Sequence, residues 1–389
     1  MISVNEAFSI LNKLTFSLKE KEVLLGNARN YILAETLLSP INMPPFRQSN
    51  MDGFAISLHE SLSYTIIGEI KAGDFFTETL QPGQAVKIFT GAAVPDSAHA
   101  VIQIEKVTLN GNHILLEEII WPETNVRPLG SQIKTNEIAL EKGTFLNAAA
   151  IGFLAGLGFT KIKVNQKPTI GIVITGNELV QPGQPLPAGK VYESNAIMLQ
   201  SAIYNAHFND IILYQTHDDF ENTKNILKKA IDENDVVLVS GGISVGDYDF
   251  VGDALKSLEV ETLFYKVNQK PGKPLLAGKL KDKIIFALPG NPAASLTCFY
   301  IHVLPTLQRL SGMEASYESK TTMNLAHDYE VNNSRDQFLK ATMEGNEVTI
   351  LPHQDSSMLD SFALANALVF LPNGNYQKTK GDKVAVFVI

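Results

Sequence analysis

Val236-Val237-Leu238-Val239-Ser240-Gly241-Gly242-Ile243-Ser244-Val245-Gly246-Asp247-Tyr248-Asp249 opens as an unbroken apolar run and closes as a glycine-rich loop. The run Val236–Ser240 reads as a buried strand, and Tyr248–Leu258 reads as the helix that the loop feeds. The same alternation extends to both sides. Thr169–Thr175 is a strand, Ser194–Tyr204 a helix, Ile211–Tyr214 a strand and Phe220–Glu233 a helix. Beyond the loop, Ile284–Leu288 is a further strand and Pro292–Leu310 a long closing helix. Strands and helices in strict alternation predict a parallel sheet with helices on its faces, here an α/β domain over residues 167–313.

Open sheets of this kind bind ligands at the carboxyl ends of their strands. Three of these strands end in unusual loops: Thr175-Gly176-Asn177-Glu178, then Ser240 to Asp249, then Leu288-Pro289-Gly290-Asn291-Pro292. Glycine lets backbone N–H groups approach an anion, and a following helix N-terminus favours negative charge. Asn291 and Pro292 read as an N-cap and the first helical residue. One such loop alone would be an ordinary strand-to-helix turn. Three together predict a site for a phosphorylated ligand, with Ser240, Gly241, Gly242, Ser244, Gly246, Pro289, Gly290, Asn291 and Pro292 as its candidate residues.

Between the second and third loops lies Lys266-Val267-Asn268-Gln269-Lys270-Pro271-Gly272-Lys273-Pro274. By itself it would be a solvated surface loop. Placed next to an anion site in an acidic chain, Lys266, Lys270 and Lys273 form a candidate clamp. Asp218-Asp219 precede the helix at Phe220, and capping accounts for one of them. Two carboxylates beside an anion repel each other unless a divalent cation sits between, and Mg²⁺ bridging carboxylate and phosphate is the simplest such cation. For Asp218 the cap and the metal or substrate role stand level.

Outside the α/β region the texture changes. Residues 1–38 read as helices, with Val4, Ala7, Phe8, Leu11 and Leu14 at helical spacing. Pro40, Pro44 and Pro45 then mark a boundary. Short β-rich runs follow at Tyr64–Ile70, Ala85–Phe89, Val101–Glu105 and His113–Leu116, as in a small β domain over 39–128. It is inserted into a helical N-terminal domain, 1–38 plus 129–166, that resumes with a buried small-residue helix over Asn147–Phe159. The tail, 314–389, has β runs at Glu347–Leu351, Ala367–Leu371 and Lys383–Val388 and predicts a small barrel.

The 389 residues exceed the roughly 250–300 at which one core stops growing, so several domains are expected. A net charge of −9 and no basic run argue against nucleic acid. The single cysteine, Cys298, suits a reducing compartment. Met1–Leu14 lacks the pattern of a signal peptide, and the most apolar run, Ala148–Phe159, falls short of the about 20 residues a membrane helix needs. These features predict a soluble cytoplasmic protein with no membrane partner.

The motifs SGGISVGDYD, KPGKP, LPGNP and TGNEL resemble the signature set of the MoeA family, the molybdopterin molybdenumtransferases, and of the gephyrin E domain. Pro44-Pro45-Phe46-Arg47-Gln48-Ser49-Asn50-Met51-Asp52-Gly53-Phe54-Ala55 is similar to the family's P-x-F-x-x-S-x-M-D-G-(Y/F)-A element, and Phe89-Thr90-Gly91-Ala92 to its threonine-glycine loop. Gln354–Ser357 and Ala365-Asn366 fall where the family's C-terminal barrel has related residues. The motifs run from about residue 5 to about residue 385 in the family's order.

The resemblance implies an elongated four-domain homodimer with a central MoaB/MogA-like α/β domain. It implies an enzyme that takes adenylylated molybdopterin and molybdate, with Mg²⁺, and releases AMP and molybdenum cofactor. Its active cleft would join the α/β domain to the β domain of the other subunit, and a molybdopterin adenylyltransferase would be a further partner. Motif by motif it implies functional roles for Asp52, Thr90, Glu178, Asp218, Asp249, Lys266, Lys270 and Ser356, with Pro289 and Pro292 shaping a turn. Asp52, Thr90 and Glu178 would be catalytic. Asp218, Asp249 and Glu178 would hold the metal, and the lysines would hold phosphate or molybdate oxygens. Asp52 alone would read as a turn residue before Gly53. As an acid, base or metal-positioning group its role stays open.

Three positions depart from the family. Asn177 removes one charge from the TG(D/N)EL loop, and Gln132 stands where R-x-x-G-x-D has its acid. Lys340 stands where some members carry arginine, whose bidentate fork lysine cannot reproduce, although Arg335 is near in sequence. Two rival readings use the same α/β domain. One is a molybdopterin adenylyltransferase or CinA-like nucleotide pyrophosphatase, against which the Met51-Asp52-Gly53 region and the barrel argue. The other is a scaffold module, against which the lack of a long linker argues.

Overall fold

The computed structural model describes residues 1–217, 219–243, 250–319 and 321–389. The chain forms two compact units. One comprises residues 1–21, 30–32 and 165–389, and the other residues 22–29 and 33–164.

The first unit is built on a six-stranded sheet in the order Ile211–Thr216, Ile170–Thr175, Val236–Ser240, Lys283–Leu288, Leu276–Leu280, Glu261–Tyr265. The first four strands are parallel, as the alternation predicted. The last two add an antiparallel edge that sequence reading passed over. Each central strand is apolar on both sides because both faces are covered. Ile170, Ile172, Leu238, Ile284 and Phe286 share one core with the helix Asn195–Asn205, through Leu199 and Ile203. Val173, Val237, Val239 and Ile285 share another with Leu227 and Ile231 of Phe220–Glu233 and Val251 and Leu255 of Phe250–Ser257. Fully burying one such side chain contributes roughly 1.5–3 kcal/mol, so covering both faces dominates the stability of this unit.

The N-terminal stretch corrects the expectation of a helical domain. Val4–Asn12 is a helix, closed at its start by a Ser3–Glu6 capping box, and it sends Val4, Ala7, Phe8 and Leu11 into the first of these cores. Past it the spacing changes to alternation, and Glu20–Leu24 is a strand followed by the short 3₁₀ turn Leu25–Asn27. Gly26 and Asn30, the latter at φ +64°, break any continuation of the helix.

The C-terminal region closes a barrel. Asp336–Glu344 pairs with Glu347–Ile350 and with Ala367–Leu371, Lys383–Val388 pairs with Ala367–Leu371 and Thr321–Leu325, and Thr321–Leu325 returns to Glu347–Ile350. Leu339, Ala341, Val348, Val369, Val384 and Val386 fill its interior. The alternate residues Phe338 and Leu368 point the other way, into the core shared with the α/β sheet. A two-residue strand from the lysine loop, Gln269–Lys270, adds to the barrel strand Asp336–Glu344 in parallel.

The second unit holds a six-stranded sheet in the order Ala100–Gln103, Gly53–Ile56, Gln84–Ile88, Ser63–Ile70, His113–Leu116, Val107–Asn110. The four β runs predicted there are strands, and Gly53–Ile56 and Val107–Asn110 are additional. The helix Ala148–Gly156, capped by Asn147, buries Ala150 and Leu154 only. The expectation of a buried helix therefore holds for one face, since alanine and glycine elsewhere offer little to bury.

Candidate functional site

Parallel register sets Ile174 beside Ser240 and Ser240 beside Leu288, so three strands leave the sheet level with one another. Their loops line one cleft of about 870 Å³. Thr175, Gly176 and Glu178 come from the first, Ser240, Gly241, Gly242 and Ile243 from the second, and Pro289, Gly290, Asn291 and Pro292 from the third. Close packing dictates the glycines. At Gly241, φ is +95° and a Cβ would stand 2.7 Å from the Thr175 carbonyl oxygen. Gly242, at φ +63°, faces Val251 in the same way.

Asn195 ties two of the loops together. Its Nδ2 donates to Ser240 Oγ and to the Gly290 carbonyl, both at 2.8 Å. Glu193, buried beside it, accepts from the Ala196 N–H at 2.8 Å and so opens the helix Asn195–Asn205. Sequence reading missed both. The only signal was a polar run, Glu193-Ser194-Asn195, just ahead of a helix at the carboxyl edge of the sheet.

Lys270, Lys273 and Arg335 bring cations to the cleft, and Glu178, Glu193 and Asp355 bring carboxylates. The lysine loop is held from beneath by Gln269, whose Nε2 donates to the Pro271 carbonyl at 3.2 Å. The Gln269 Oε1 therefore accepts, from Nε2 of the buried His302 at 2.9 Å. Gly272, at φ +93°, leaves no room for a side chain, since a Cβ would meet Cys298 Sγ at 2.5 Å. Lys266 stands apart from the lining residues, with its ammonium 4.7 Å from the centre of the Tyr265 ring.

His302 makes the support of this loop sensitive to acid. Burial pushes its imidazole down to about 3. Its folded value lies below the unfolded one near 6.5, so between these values the unfolded chain binds a proton that the folded protein refuses. Stability therefore falls as pH falls through that window. From pH 7 to 5 the loss from this one group is about 2 kcal/mol, at 1.36 kcal/mol per pH unit below 6.5. Urea unfolding of wild type and His302→Asn at both pH values checks this. The variant should lose markedly less stability on acidification, and an equal loss in both would contradict the assignment.

Asn291 holds the predicted N-cap position with Pro292 first in the helix Pro292–Cys298, yet its side chain does not cap. Its Nδ2 donates instead to Ser356 Oγ at 2.8 Å, and the Ser356 carbonyl accepts the Ala294 N–H at 3.1 Å. Gln354, Asp355, Ser356 and Ser357 thus form the barrel-side wall of the cleft. Of the aspartate pair, Asp219 is the cap of Phe220–Glu233, accepting from Glu221 N–H at 2.9 Å. Asp218, Ser244, Gly246 and Asp249 lie outside the described residues.

In the second unit the register explains another pairing. Gly53 lies opposite Ile88, which brings Asp52, just before one strand, near Thr90, two residues beyond the other. Asp52 Oδ1 accepts from both the N–H and the Oγ1 of Thr90, each at 2.7 Å. These bonds hold the Asp52 carboxyl below the usual carboxylate range, the backbone bond contributing most. Asp52 is therefore suited to act as a base or a cation ligand rather than an acid. Gly53 is required by closeness, because a Cβ there would fall 1.9 Å from the Ile102 carbonyl oxygen. Gln132 is exposed, and its N–H donates to the Met43 carbonyl at 2.9 Å.

Among the described residues no three His, Cys, Asp or Glu side chains converge as a metal cage. Mg²⁺ commonly takes only one or two carboxylates together with substrate phosphates, and Glu178 lies on the cleft wall.

Three family descriptions match in sequence: MoeA N-terminal region (domain I and II) over residues 2–158, probable molybdopterin binding domain over 171–309, and MoeA C-terminal region (domain IV) over 322–389. A molybdopterin molybdenumtransferase of Staphylococcus epidermidis is 32% identical, with 100% of this chain aligned to 95% of that protein. The chain belongs to the MoeA family. A second MoeA relative, the molybdopterin molybdenumtransferase of Haemophilus influenzae, is 32% identical over 99% of this chain and 98% of its own. The crystal structure of a molybdopterin biosynthesis MoeA protein from Pyrococcus horikoshii superposes with a TM-score of 0.84 at 28% identity, covering 100% of both chains. Among the described residues no helix is long and apolar enough to cross a membrane.

Proposed function

We propose that this chain inserts molybdenum into the pterin cofactor, converting adenylylated molybdopterin and molybdate into molybdenum cofactor with release of AMP. Membership of the MoeA family makes it a molybdopterin molybdenumtransferase of molybdenum cofactor biosynthesis. One observation carries the finer reading: three glycine-bearing strand ends, two lysines and an arginine share a cleft of about 870 Å³. That volume falls near the top of the range for small-molecule sites, roughly 300–1,000 Å³, and suits a ligand of pterin-nucleotide size better than a lone oxyanion.

In this reading the glycine N–H groups, Lys270 and Lys273 serve the phosphate and molybdate oxygens, and Lys266, apart from the cleft lining, would have to leave the Tyr265 ring to join them. Glu178, together with Asp218 and Asp249, would hold Mg²⁺, which when bound screens charge on the phosphates. Asp52, kept ionised by Thr90, serves the cleft of a partner subunit in a homodimer. The protein would work in the cytoplasm and receive its substrate from a molybdopterin adenylyltransferase.

The test supplies adenylylated molybdopterin and Mg²⁺ with and without molybdate, and follows AMP. Release that depends on molybdate supports the proposal. A second arm supplies molybdopterin, ATP and Mg²⁺. Adenylylation there would replace the proposal with the adenylyltransferase reading, molybdate-independent cleavage in the first arm with the pyrophosphatase reading, and no turnover in either arm with the scaffold reading.

A further inference from the structure

We infer that Lys340 is a positioning residue of the cleft, acting through the segment from His353 to Met358 and so through Ser356. Lys340 sits on the barrel strand Asp336–Glu344, is 2% exposed and is not among the residues that line the cleft. Its ammonium donates to the carbonyls of His353 at 2.5 Å, Met358 at 2.9 Å and Asp355 at 3.4 Å. Three carbonyls of one short segment therefore turn inward on a single cation, and His353 takes φ +57° to allow it. Gln354 clasps the backbone of the same lysine, accepting its N–H and donating to its carbonyl, both at 2.9 Å.

With its carbonyls drawn inward, the segment turns outward at Ser356. There its Oγ and its carbonyl meet Asn291 and Ala294 of the third strand-end loop and the helix after it. An ammonium with three diverging N–H bonds matches three carbonyls around a point, whereas a guanidinium is a planar fork suited to carboxylate or phosphate. Lysine at this position is thus an internal tie for the cleft wall rather than a weakened anion fork. Hydrogen bonds to charged groups are the stronger class, and removing the cation takes that bond from all three carbonyls. The His353 carbonyl keeps the Ser361 hydroxyl at 2.9 Å, and the Asp355 carbonyl keeps the Met358 N–H at 3.2 Å.

The kinetic half of the test rests on the proposed function, and the structural half does not. Wild type, Lys340→Met, Ser356→Ala and the double variant are compared by hydrogen exchange of residues 353–358 and by the KM for molybdate and kcat of AMP release. Lys340→Met should keep its circular dichroism and cooperative melt, lose about tenfold or more of the exchange protection in 353–358, carried by the Met358 N–H on the Asp355 carbonyl, and lose about tenfold or more in kcat/KM. Ser356→Ala should add little to Lys340→Met, because both act through one contact. Wild-type exchange and kinetics in a folded Lys340→Met, or losses that multiply in the double variant, would overturn the inference. Should Lys340→Met fail to fold, Lys340→Gln, which retains an amide donor, takes the same readouts with the same outcomes. If wild type shows no molybdate-dependent turnover the function reading fails, while exchange in 353–358 still decides the role of Lys340.

Discussion

Asp52→Ala is expected to lower kcat by about 10²- to 10⁴-fold, the range a positioned proton-transfer group supplies, while leaving the melting temperature near wild type. The carboxylate is exposed, so its removal leaves no cavity, and the tight approach of Gly53 to Ile102 keeps the strand in place without it. Thr90→Val gives a graded version. It removes one of the two donors that hold Asp52 below the usual carboxylate range, so the Asp52 carboxyl should titrate at higher pH. If the ionised form is the working one, the acid limb of the pH–rate profile moves up with it. An unmoved limb would assign that limb to another group, and full activity in Asp52→Ala would remove Asp52 from the site. Mixing also tests the dimer. When inactive Asp52→Ala and inactive Lys270→Ala subunits exchange at random, half the dimers carry one intact shared site, and roughly a quarter of wild-type activity should return. No recovery after demonstrated exchange would place both residues in the service of the same subunit.

The second large effect is expected at Gly241→Ala. Alanine at φ +95° costs about 1–3 kcal/mol in backbone strain. Its Cβ would also stand 2.7 Å from the Thr175 carbonyl oxygen, so the second strand-end loop must move away from the first. Gly241 N–H also reaches the Leu288 carbonyl at 3.4 Å, and displacement therefore spreads to the third. A shift of about 1 Å at a positioned site is enough for a loss of about 10²-fold, which is the fall in kcat/KM expected alongside a lower melting temperature. Gly252→Ala is the control, because that helix position has open space beyond it. Equal kinetics for Gly241→Ala and wild type would show that close packing of these loops has no part in catalysis.

What sequence could reveal followed from the range of each interaction. Val236–Ser240 and Ile170–Thr175 are apolar on both faces because helices cover both, and such runs announce themselves. The helix at Val4 was legible from its spacing, but the strand at Glu20 was not, because alternation over five residues is a weak signal beside a strong helix. The edge strands Glu261–Tyr265 and Leu276–Leu280 flank the lysine loop and are weak signals, because each is five residues long and neither alternates nor forms an unbroken apolar run. Asp52 and Thr90 were placed by resemblance, and the register of Gly53 with Ile88 supplies the physical reason they meet. Contacts that cross the chain could not be read locally. Asn291 looked like a cap and instead bonds Ser356, 65 residues away. At Lys340 the local sequence shows only a lysine in place of arginine, whereas the carbonyls it binds come from residues 353 and 358. Asn195 had no sequence mark beyond preceding a helix, since its partners Ser240 and Gly290 come from other strands.

The most direct test of molybdenum insertion is a single-turnover measurement with labelled molybdate. Enzyme in excess over adenylylated molybdopterin, with Mg²⁺, is sampled for AMP and for molybdenum bound to pterin. The proposed function predicts that both appear together, one molybdenum for each AMP, and that neither appears when molybdate is withheld. AMP released at the same rate without molybdate, or released with no molybdenum on the pterin, would contradict it.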